Sequence, residues 1–236
     1  MKTGKWKIEV FALAIMIAVS NVPSFCFSKE PDESSTTKKI TNLILKTVLR
    51  IKPRFDDSSY QMTAVIGVRG FSTAQPYEKS AFRFGALSAE LQYAESVPDA
   101  ERAKKAAELI VMGLEQANMK SQLSGQSGTF SELYPVMEEF VSARKLDDYF
   151  QMGQWVASMR LAMLTGGDEN MDMVSPFLGS ENQAGHFLAV LKDKEVPPGV
   201  INNLQKLNRM KKKTVLTEKD LKDAADYLRN ILLLMG

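Results

Sequence analysis

The chain offers few residues from which a metal or haem centre is usually built. His186 is its only histidine and Cys26 its only cysteine. Zinc, copper and haem sites draw on several such ligands, so we predict no cofactor and no metal site of this kind. A histidine that acts as a general base also needs a partner to orient its ring, and the sequence identifies none. We interpret His186 as a packed or surface residue, with catalysis as the alternative.

Two other clusters have a metal-binding interpretation beside a structural one. Methionines recur at positions 152, 159, 163, 171 and 173. Thioethers bind Cu(I), but they also fill irregular gaps in helical cores, and we favour the core. Asp168, Glu169 and Asp172 follow two glycines, yet Glu181 does not fall at the spacing of a calcium loop. We interpret these carboxylates as the favourable acidic start of a helix.

Arg160 is the candidate centre of a ligand site. It interrupts the apolar surface of a helix predicted over 146–164. A buried arginine needs a carboxylate or several carbonyl groups, and Glu90, Glu138 and Glu139 are the candidate partners. We predict an anionic-ligand site formed by Arg160, Trp155 and Glu90. The alternative is that the long Arg160 side chain reaches water at the edge of the helix.

Basic residues accumulate at the end of another predicted helix. They are Lys206, Arg209, Lys211, Lys212 and Lys213. Such a cluster suits anionic lipid headgroups or an acidic partner. It is also favourable by itself, because cations stabilise the negative end of the helix dipole.

The helix over 146–164 is the segment around which we expect the chain to fold. Its polar residues recur at helical spacing, which places them in one narrow stripe: Asp147, Gln151, Gln154 and Ser158. Almost all of the remaining circumference is apolar. A helix of this kind is buried by several neighbours.

The rest of the chain shows helical periodicity with no convincing strand pair or hairpin turn. Residues Thr63–Val68 have strand-like composition, but we favour a short helix that ends at Gly70. The helix over 77–95 is expected to carry Lys79, Arg83 and Glu90 on its polar side. We predict an all-α multi-helix bundle with further helices over 37–51, 99–117, 131–144, about 168–176, 181–192, 200–212 and from Thr217 to the terminus.

Two of these helices share a pattern 68 residues apart. Phe82, Gly85, Ala89 and Ala94 match Phe150, Gly153, Ala157 and Ala162. A glycine inside a helix costs about 1 kcal/mol unless a close neighbour compensates, so we expect Gly85 and Gly153 to mark helix crossings. Either two related helical units are packed together, or helical packing alone repeats the spacing.

The amino-terminal residues predict export. Three lysines precede an uncharged apolar run of about eleven residues, which is typical of a secretory signal peptide over residues 1–28. Cleavage after Ser28 would remove three lysines and one glutamate and leave 27 basic and 27 acidic residues. Lipidation of Cys26 is the alternative, although Phe25 is large for that signal. We expect a flexible leader over residues 29–37 and an all-helical domain over 38–236.

These features favour an exported, periplasmic or secreted protein that is not an enzyme. We predict that it binds an envelope protein or a peptide, or serves a structural role there. A balanced mature charge argues against nucleic acid as the partner, and we expect membrane contact only through an uncleaved or lipidated amino terminus. The alternative is a receptor or enzyme for a small anionic ligand, with its site around Arg160.

Overall fold

The computed structural model describes residues 33–51, 77–97, 99–123, 128–165, 170–213 and 215–236. They form nine α-helices and one 3₁₀ turn without any β-strand, so the predicted all-α class is confirmed for this part of the chain. Those from residue 34 onward belong to one compact unit. In chain order the helices are α1 (Glu33–Ile51), α2 (Tyr77–Ser96), α3 (Ala100–Gln116), α4 (Phe130–Ser142), α5 (Asp147–Thr165), α6 (Met171–Leu178), α7 (Ala184–Val190), α8 (Pro198–Met210) and α9 (Glu218–Met235), and the 3₁₀ turn is Lys120–Leu123.

Helices α2 and α5 form the centre of the bundle. Every residue from Ala81 to Leu91 is buried, and so is every residue from Trp155 to Met163. Helices α3 and α4 pack against α2, α9 packs against α5, and α8 contacts both α7 and α9. A helix enclosed on all sides is apolar around its circumference, as the sequence of α5 predicts. No helix in the described part is both long and apolar enough to cross a bilayer.

The predicted polar stripe of α5 is only partly exposed. Asp147 is exposed, and Gln151 and Gln154 are half-buried. Ser158, the last member, is fully buried. The stripe therefore faces solvent at the start of the helix and enters the core at its end.

Glycines bring the backbones of α2 and α5 together. A Cβ atom added to Gly85 would lie 1.9 Å from the carbonyl oxygen of Phe150, and one added to Gly153 would lie 2.0 Å from that of Phe82. Only residues without a Cβ atom allow such an approach. The prediction that both glycines mark a helix crossing is confirmed.

The contacts at the crossing are reciprocal when α2 and α5 are aligned by the 68-residue offset. Gly85 meets Phe150 and Gly153 meets Phe82, so equivalent residues exchange equivalent contacts. The first turns of the two helices also line one pocket, so the two helices begin close to each other. Apart from the contacts between α2 and α5 themselves, their surroundings differ, because α2 packs against the next helix, α3, whereas α5 packs against the distant α9. The equivalence is thus seen at the crossing, and duplication of whole units stays a prediction.

Helix α1 begins at Glu33, four residues before the predicted start. Residues 33–37, which the sequence assigned to a leader, are therefore helical. Thr37 is buried and its hydroxyl donates a hydrogen bond to Gln183 Oε1 at 3.2 Å. This contact extends the buried face of α1 by one turn beyond the apolar pattern that starts at Ile40.

Polar side chains set several of the other helix boundaries. Thr217 caps α9 through its hydroxyl and forms a capping box with Asp220. Helix α7 begins at Ala184 instead of Glu181, because Asn182 Oδ1 accepts a hydrogen bond from the Ala184 amide. Pro135 lies at the sixth position of α4, beyond its first turn. A proline has no amide hydrogen to donate to the carbonyl group of the preceding turn. Because Pro135 is exposed, water can reach that carbonyl group.

Two predictions about local structure concern residues outside the described ranges. These are the short helix through Thr63–Val68 and the place of Asp168 at the acidic start of a helix. The predicted polar side of α2 is wrong for two of its three residues, because Arg83 is 1% and Glu90 0% exposed. Periodicity placed them on a solvent face, but neighbouring helices enclose α2 completely.

Candidate functional site

The three residues predicted to bind a ligand all lie in the core. The exposed fraction is 5% for Arg160 and zero for Trp155 and Glu90. None of them lines the surface cavities described below. Because a guanidinium group this deep does not reach water freely, the alternative in which Arg160 extends to solvent is wrong.

Glu90 belongs to a charged group at the interface between α2 and α3. Arg102 Nε lies 3.9 Å from Glu90 Oε1 and 3.4 Å from Asp99 Oδ2. The pKa of the neighbouring Tyr93 is raised to about 12, mainly by burial. Asp99 and Glu90 add to the increase, and the positive charge of Arg102 lowers the pKa. The phenol is therefore neutral at physiological pH, and this group fixes α3 on α2.

Trp155 performs a packing role on the other central helix. Its ring lies 5.3 Å from that of Phe187, which brings α7 against α5. Among the described residues neither Trp155 Nε1 nor the Ser158 hydroxyl has a hydrogen-bond partner. Buried donors without acceptors cost about 1–3 kcal/mol each. These side chains are enclosed by the core and not presented to a ligand.

A groove with an apolar floor lies beside α3. Its volume is about 620 Å³, within the usual range for ligand sites. One stripe of α3 forms the long wall, the end of α2 adds Leu91 and Glu95, and Leu123, Gly128 and Thr129 complete the opposite side. The apolar floor consists of Leu91, Ala103, Ala107, Val111, Met112 and Leu123. We call this feature the acidic groove because of its rim.

The rim of the acidic groove carries three carboxylates and one ammonium group. The carboxylates belong to Glu95, Glu108 and Glu115, and the cation is Lys104. Lys104 Nζ lies 3.9 Å from Glu108 Oε1 across one helical turn, an exposed pair of small energetic value. Glu95 accepts a hydrogen bond of 2.7 Å from the Phe130 amide at the start of α4. The rim is therefore net negative, and Glu95 is held in place.

A second cavity, of about 460 Å³, lies where α2 and α5 begin. Its charged lining contains four cations, from Lys79, Arg144, Lys145 and Lys194, and the carboxylates Glu78 and Glu195. The Arg144 guanidinium stacks 4.3 Å from the Phe140 ring centroid, and Lys194 pairs with Asp148 at 2.5 Å. Two of the cations are thereby fixed before any ligand binds. We call this feature the basic pocket.

Tyr149 shows that the charge in the basic pocket is not uniform. Its phenol has a raised pKa, first because of burial and then because of the carboxylates Glu78, Asp148 and Glu195. The cations of Arg144 and Lys145 therefore share the pocket with a negative region around Tyr149.

A third, smaller cavity of about 210 Å³ lies between α1 and α4. Lys38 from α1 lines this cavity and forms an ion pair of 3.1 Å with Glu138. Burial and Glu138 raise the pKa of Tyr134, while Lys38 lowers it. Gln154 lines the same cavity and donates to Ser88 Oγ at 3.1 Å, which links it to the central crossing. Its polar groups largely satisfy one another.

The residues with metal-binding potential are dispersed in the described structure. No group of three or more histidine, cysteine or carboxylate side chains converges among the described residues. His186 is half-buried with its ring 5.2 Å from Phe187. Met152, Met159 and Met163 are buried in the core, whereas Met173 is 40% exposed. The first three occupy the packing role that the sequence favours.

The sequence did not identify the acidic groove. The sequence does contain one indication of it: the apolar residues of α3 occupy two adjacent rows of the helix, more surface than one neighbouring helix covers.

Comparison with known proteins finds no matching family model, curated protein or solved structure. The geometry of the described residues therefore carries the functional argument.

Proposed function

We propose that this protein is a non-enzymatic binding protein of the cell envelope, and that the acidic groove holds an apolar segment of a partner protein with cationic side chains. The observation that carries the proposal is an apolar floor under a rim of three carboxylates and one lysine. Contact with the floor would provide affinity through burial of apolar surface. The rim would select the charge of the partner.

Shape supports an extended or helical segment as the occupant. The α3 wall runs from Ala103 to Glu115, thirteen residues or more than three helical turns. A wall of this length matches several side chains of a peptide better than one compact small molecule. The floor side chains Ala107, Val111 and Met112 are only half-buried, so they have apolar surface left to cover.

Labelled model peptides test this proposal. We expect a twelve-residue peptide of alternating leucine and lysine to bind, and a leucine–glutamate peptide of equal length to bind at least tenfold more weakly. Glu108→Lys combined with Glu115→Lys should remove this preference, since both side chains lie on the rim. Asp193→Lys with Asp226→Lys makes the same charge change at exposed positions outside the groove and should preserve it.

A variant of the floor separates groove binding from general charge attraction. Ala107→Arg would fill the groove and should abolish binding of the leucine–lysine peptide. Circular dichroism must show that the variant is folded. Equal binding of both peptides, or unchanged binding by the folded Ala107→Arg variant, would contradict the proposal.

Export is the second part of the proposed function. The apolar run within residues 1–28 supports secretion, with Lys29 as the first residue of the mature chain. Intact-mass measurement of the exported protein tests this directly. A mass that retains residues 1–28, or that contains a diacylglycerol on Cys26, would exclude cleavage after Ser28.

The basic pocket favours one alternative function, a receptor for a small anionic ligand. Its support is the four cations around one cavity, two of them fixed by neighbouring groups. This site replaces Arg160 as the best location for such a ligand, because Arg160 is buried. Calorimetric titration with inorganic phosphate and with citrate tests it. Binding that is lost in Arg144→Met with Lys145→Met would support the alternative, and absence of binding would exclude it for these ions.

A further inference from the structure

The turn that joins α8 to α9 concentrates positive charge. Residues 209–217 contain Arg209, Lys211, Lys212 and Lys213 and no carboxylate or aromatic residue. We call the described residues of this segment, 209–213 and 215–217, the basic turn. Arg209, Lys211 and Lys212 are exposed and form no ion pair among the described residues. Their charges are therefore available to an external partner.

Two other lysines are already engaged near the basic turn. Lys213 forms a hydrogen-bonded ion pair with the buried carboxylate of Asp220, which anchors the turn to the first turn of α9. Lys206 lies 5.0 Å above the Tyr227 ring, between α8 and α9. These contacts anchor Lys213 and Lys206 on α9, while Arg209, Lys211 and Lys212 are exposed.

An apolar residue stands beside these cations. Val215 is 77% exposed, the highest fraction among the exposed large hydrophobic residues, and it follows Lys213 by two positions. A capping box fixes the chain just after it, at Thr217 and Asp220. The basic turn thus presents lysines and one apolar side chain on a well-anchored segment.

We propose that the basic turn docks the protein on an anionic lipid surface. Each lysine near the surface raises the affinity for phosphate-bearing headgroups about fivefold at low salt. Val215 would enter the boundary between headgroups and acyl chains, where an apolar side chain leaves water while its basic neighbours stay in the polar layer. Non-specific binding of single-stranded nucleic acid normally adds aromatic stacking platforms, which residues 209–217 lack.

Vesicle flotation with the full chain tests the proposal. Vesicles of 30% phosphatidylglycerol in phosphatidylcholine are compared with vesicles of phosphatidylcholine alone. We expect binding to the anionic vesicles at 50 mM NaCl and its loss at 500 mM, because salt screens the exposed charges. Lys211→Glu with Lys212→Glu should weaken binding at least about 25-fold, from the loss of two lysines.

Two further variants distinguish this docking from other sources of membrane affinity. Lys46→Glu with Lys105→Glu makes the same charge change at exposed positions of α1 and α3 and should shift binding less than about threefold. Val215→Ser keeps every charge and should weaken vesicle binding about fivefold while leaving heparin binding unchanged. Any affinity that residues 1–28 have for lipid is common to all variants.

Three outcomes would overturn the proposal. The first is equal binding to anionic and neutral vesicles. The second is equal loss in the two double variants, which would indicate a response to overall charge. The third is that the protein binds heparin, but the Lys211→Glu, Lys212→Glu and Val215→Ser changes leave vesicle binding unaltered. That result would assign the basic turn to a soluble polyanion.

Discussion

The central crossing of α2 and α5 and the carboxy-terminal helices α7–α9 are stabilised in opposite ways. At the crossing, Gly85 and Gly153 allow backbone to meet backbone because they have no side chain. In the carboxy-terminal region, polar side chains bind the backbone: Asn182 reaches two carbonyl groups and one amide, and Thr217 and Asp220 cap α9. The first region depends on an absent Cβ atom, and the second on particular hydrogen-bonding groups. Substitutions should therefore fail for different reasons in each.

The crossing should show the largest effect. Gly85→Ala or Gly153→Ala puts a Cβ atom about 2 Å from a backbone oxygen, which no rotamer change can relieve. We expect each to lower the free energy of unfolding by about 3 kcal/mol or more, the upper limit of typical overpacking, and leucine to cost more. Thermal and urea unfolding measure the change.

Gly185→Ala is the matched control for the crossing. A Cβ atom there would lie 3.1 Å from Asn208 Oδ1, the end of a flexible side chain that can move. Alanine also favours a helix over glycine by up to about 1 kcal/mol, so the net effect should be small. If Gly85→Ala melts like Gly185→Ala, the two central helices do not touch through their backbones.

Asn182 should show the second-largest effect. Its Nδ2 donates to the Leu178 and Leu207 carbonyl oxygens at 2.9 and 3.0 Å, and its Oδ1 accepts from the Ala184 amide at 2.9 Å. We expect Asn182→Ala to cost about 2–4 kcal/mol, from three buried hydrogen bonds at about 1 kcal/mol each. Urea unfolding of the variant provides the measurement.

Asn203→Ala provides the comparison for Asn182. Asn203 is also buried, but its amide makes one described hydrogen bond, to the Gly199 carbonyl at 2.7 Å. Its loss should cost about 1 kcal/mol. Equal destabilisation by the two alanine variants would mean that Asn182 does not join α6, α7 and α8 as the structure indicates.

This contrast explains which parts of the fold the sequence could predict. The crossing glycines were predictable, because they interrupt an apolar helix at a position where only close packing compensates. The cap at Thr217 was predictable, because it depends on local spacing. Asn182 was not, since its partner Leu207 becomes a neighbour only when α8 packs against α6. The burial of Arg83 and Glu90 was missed for the same reason: periodicity describes one helix, but enclosure depends on every neighbour.

The candidate site was less predictable than the fold. Arg160, Trp155 and Glu90 attracted attention because their residue types often bind ligands, yet they lie in the core. The acidic groove is made by ordinary residues of α2, α3 and the segment before α4. A concave surface depends on how these elements meet, and no local spacing records it.

The cap of α9 should show an intermediate effect with a defined pH dependence. The pKa of Asp220 is lowered, mainly because Lys213 donates a hydrogen bond to its carboxylate. Burial acts in the opposite direction, and hydrogen bonds from Thr217 lower the pKa further. The stabilisation is therefore complete above the ordinary carboxyl pKa and is lost as the pH falls through the lower value in the folded state. We expect Asp220→Asn to cost about 1–2 kcal/mol at pH 7 and less at pH 3.

Unfolding of wild type and variant at both pH values tests the cap. Glu218→Gln is the control, since this exposed carboxylate also lies in the first turn of α9 but makes no described ion pair. It should cost no more than a few tenths of a kcal/mol through the helix dipole. A pH-independent cost for Asp220→Asn would show that the ion pair with Lys213 does not stabilise the fold.

Substitution of two buried serines should have the smallest effects on the free energy of unfolding, and the two effects should have opposite signs. Ser88 Oγ donates to the Gly85 carbonyl at 2.7 Å and accepts from Gln154 at 3.1 Å, whereas the Ser158 hydroxyl has no partner among the described residues. Both side chains are fully buried, one on each central helix. Replacement by alanine removes two hydrogen bonds in the first case and an unsatisfied donor in the second. We expect Ser88→Ala to lower the free energy of unfolding by about 1–2 kcal/mol and Ser158→Ala to raise it by about 1 kcal/mol, because a buried hydroxyl without a partner is a net cost. If both variants are destabilised alike, the Ser158 hydroxyl is satisfied in the folded protein, and the two central helices use their buried polar groups in the same way.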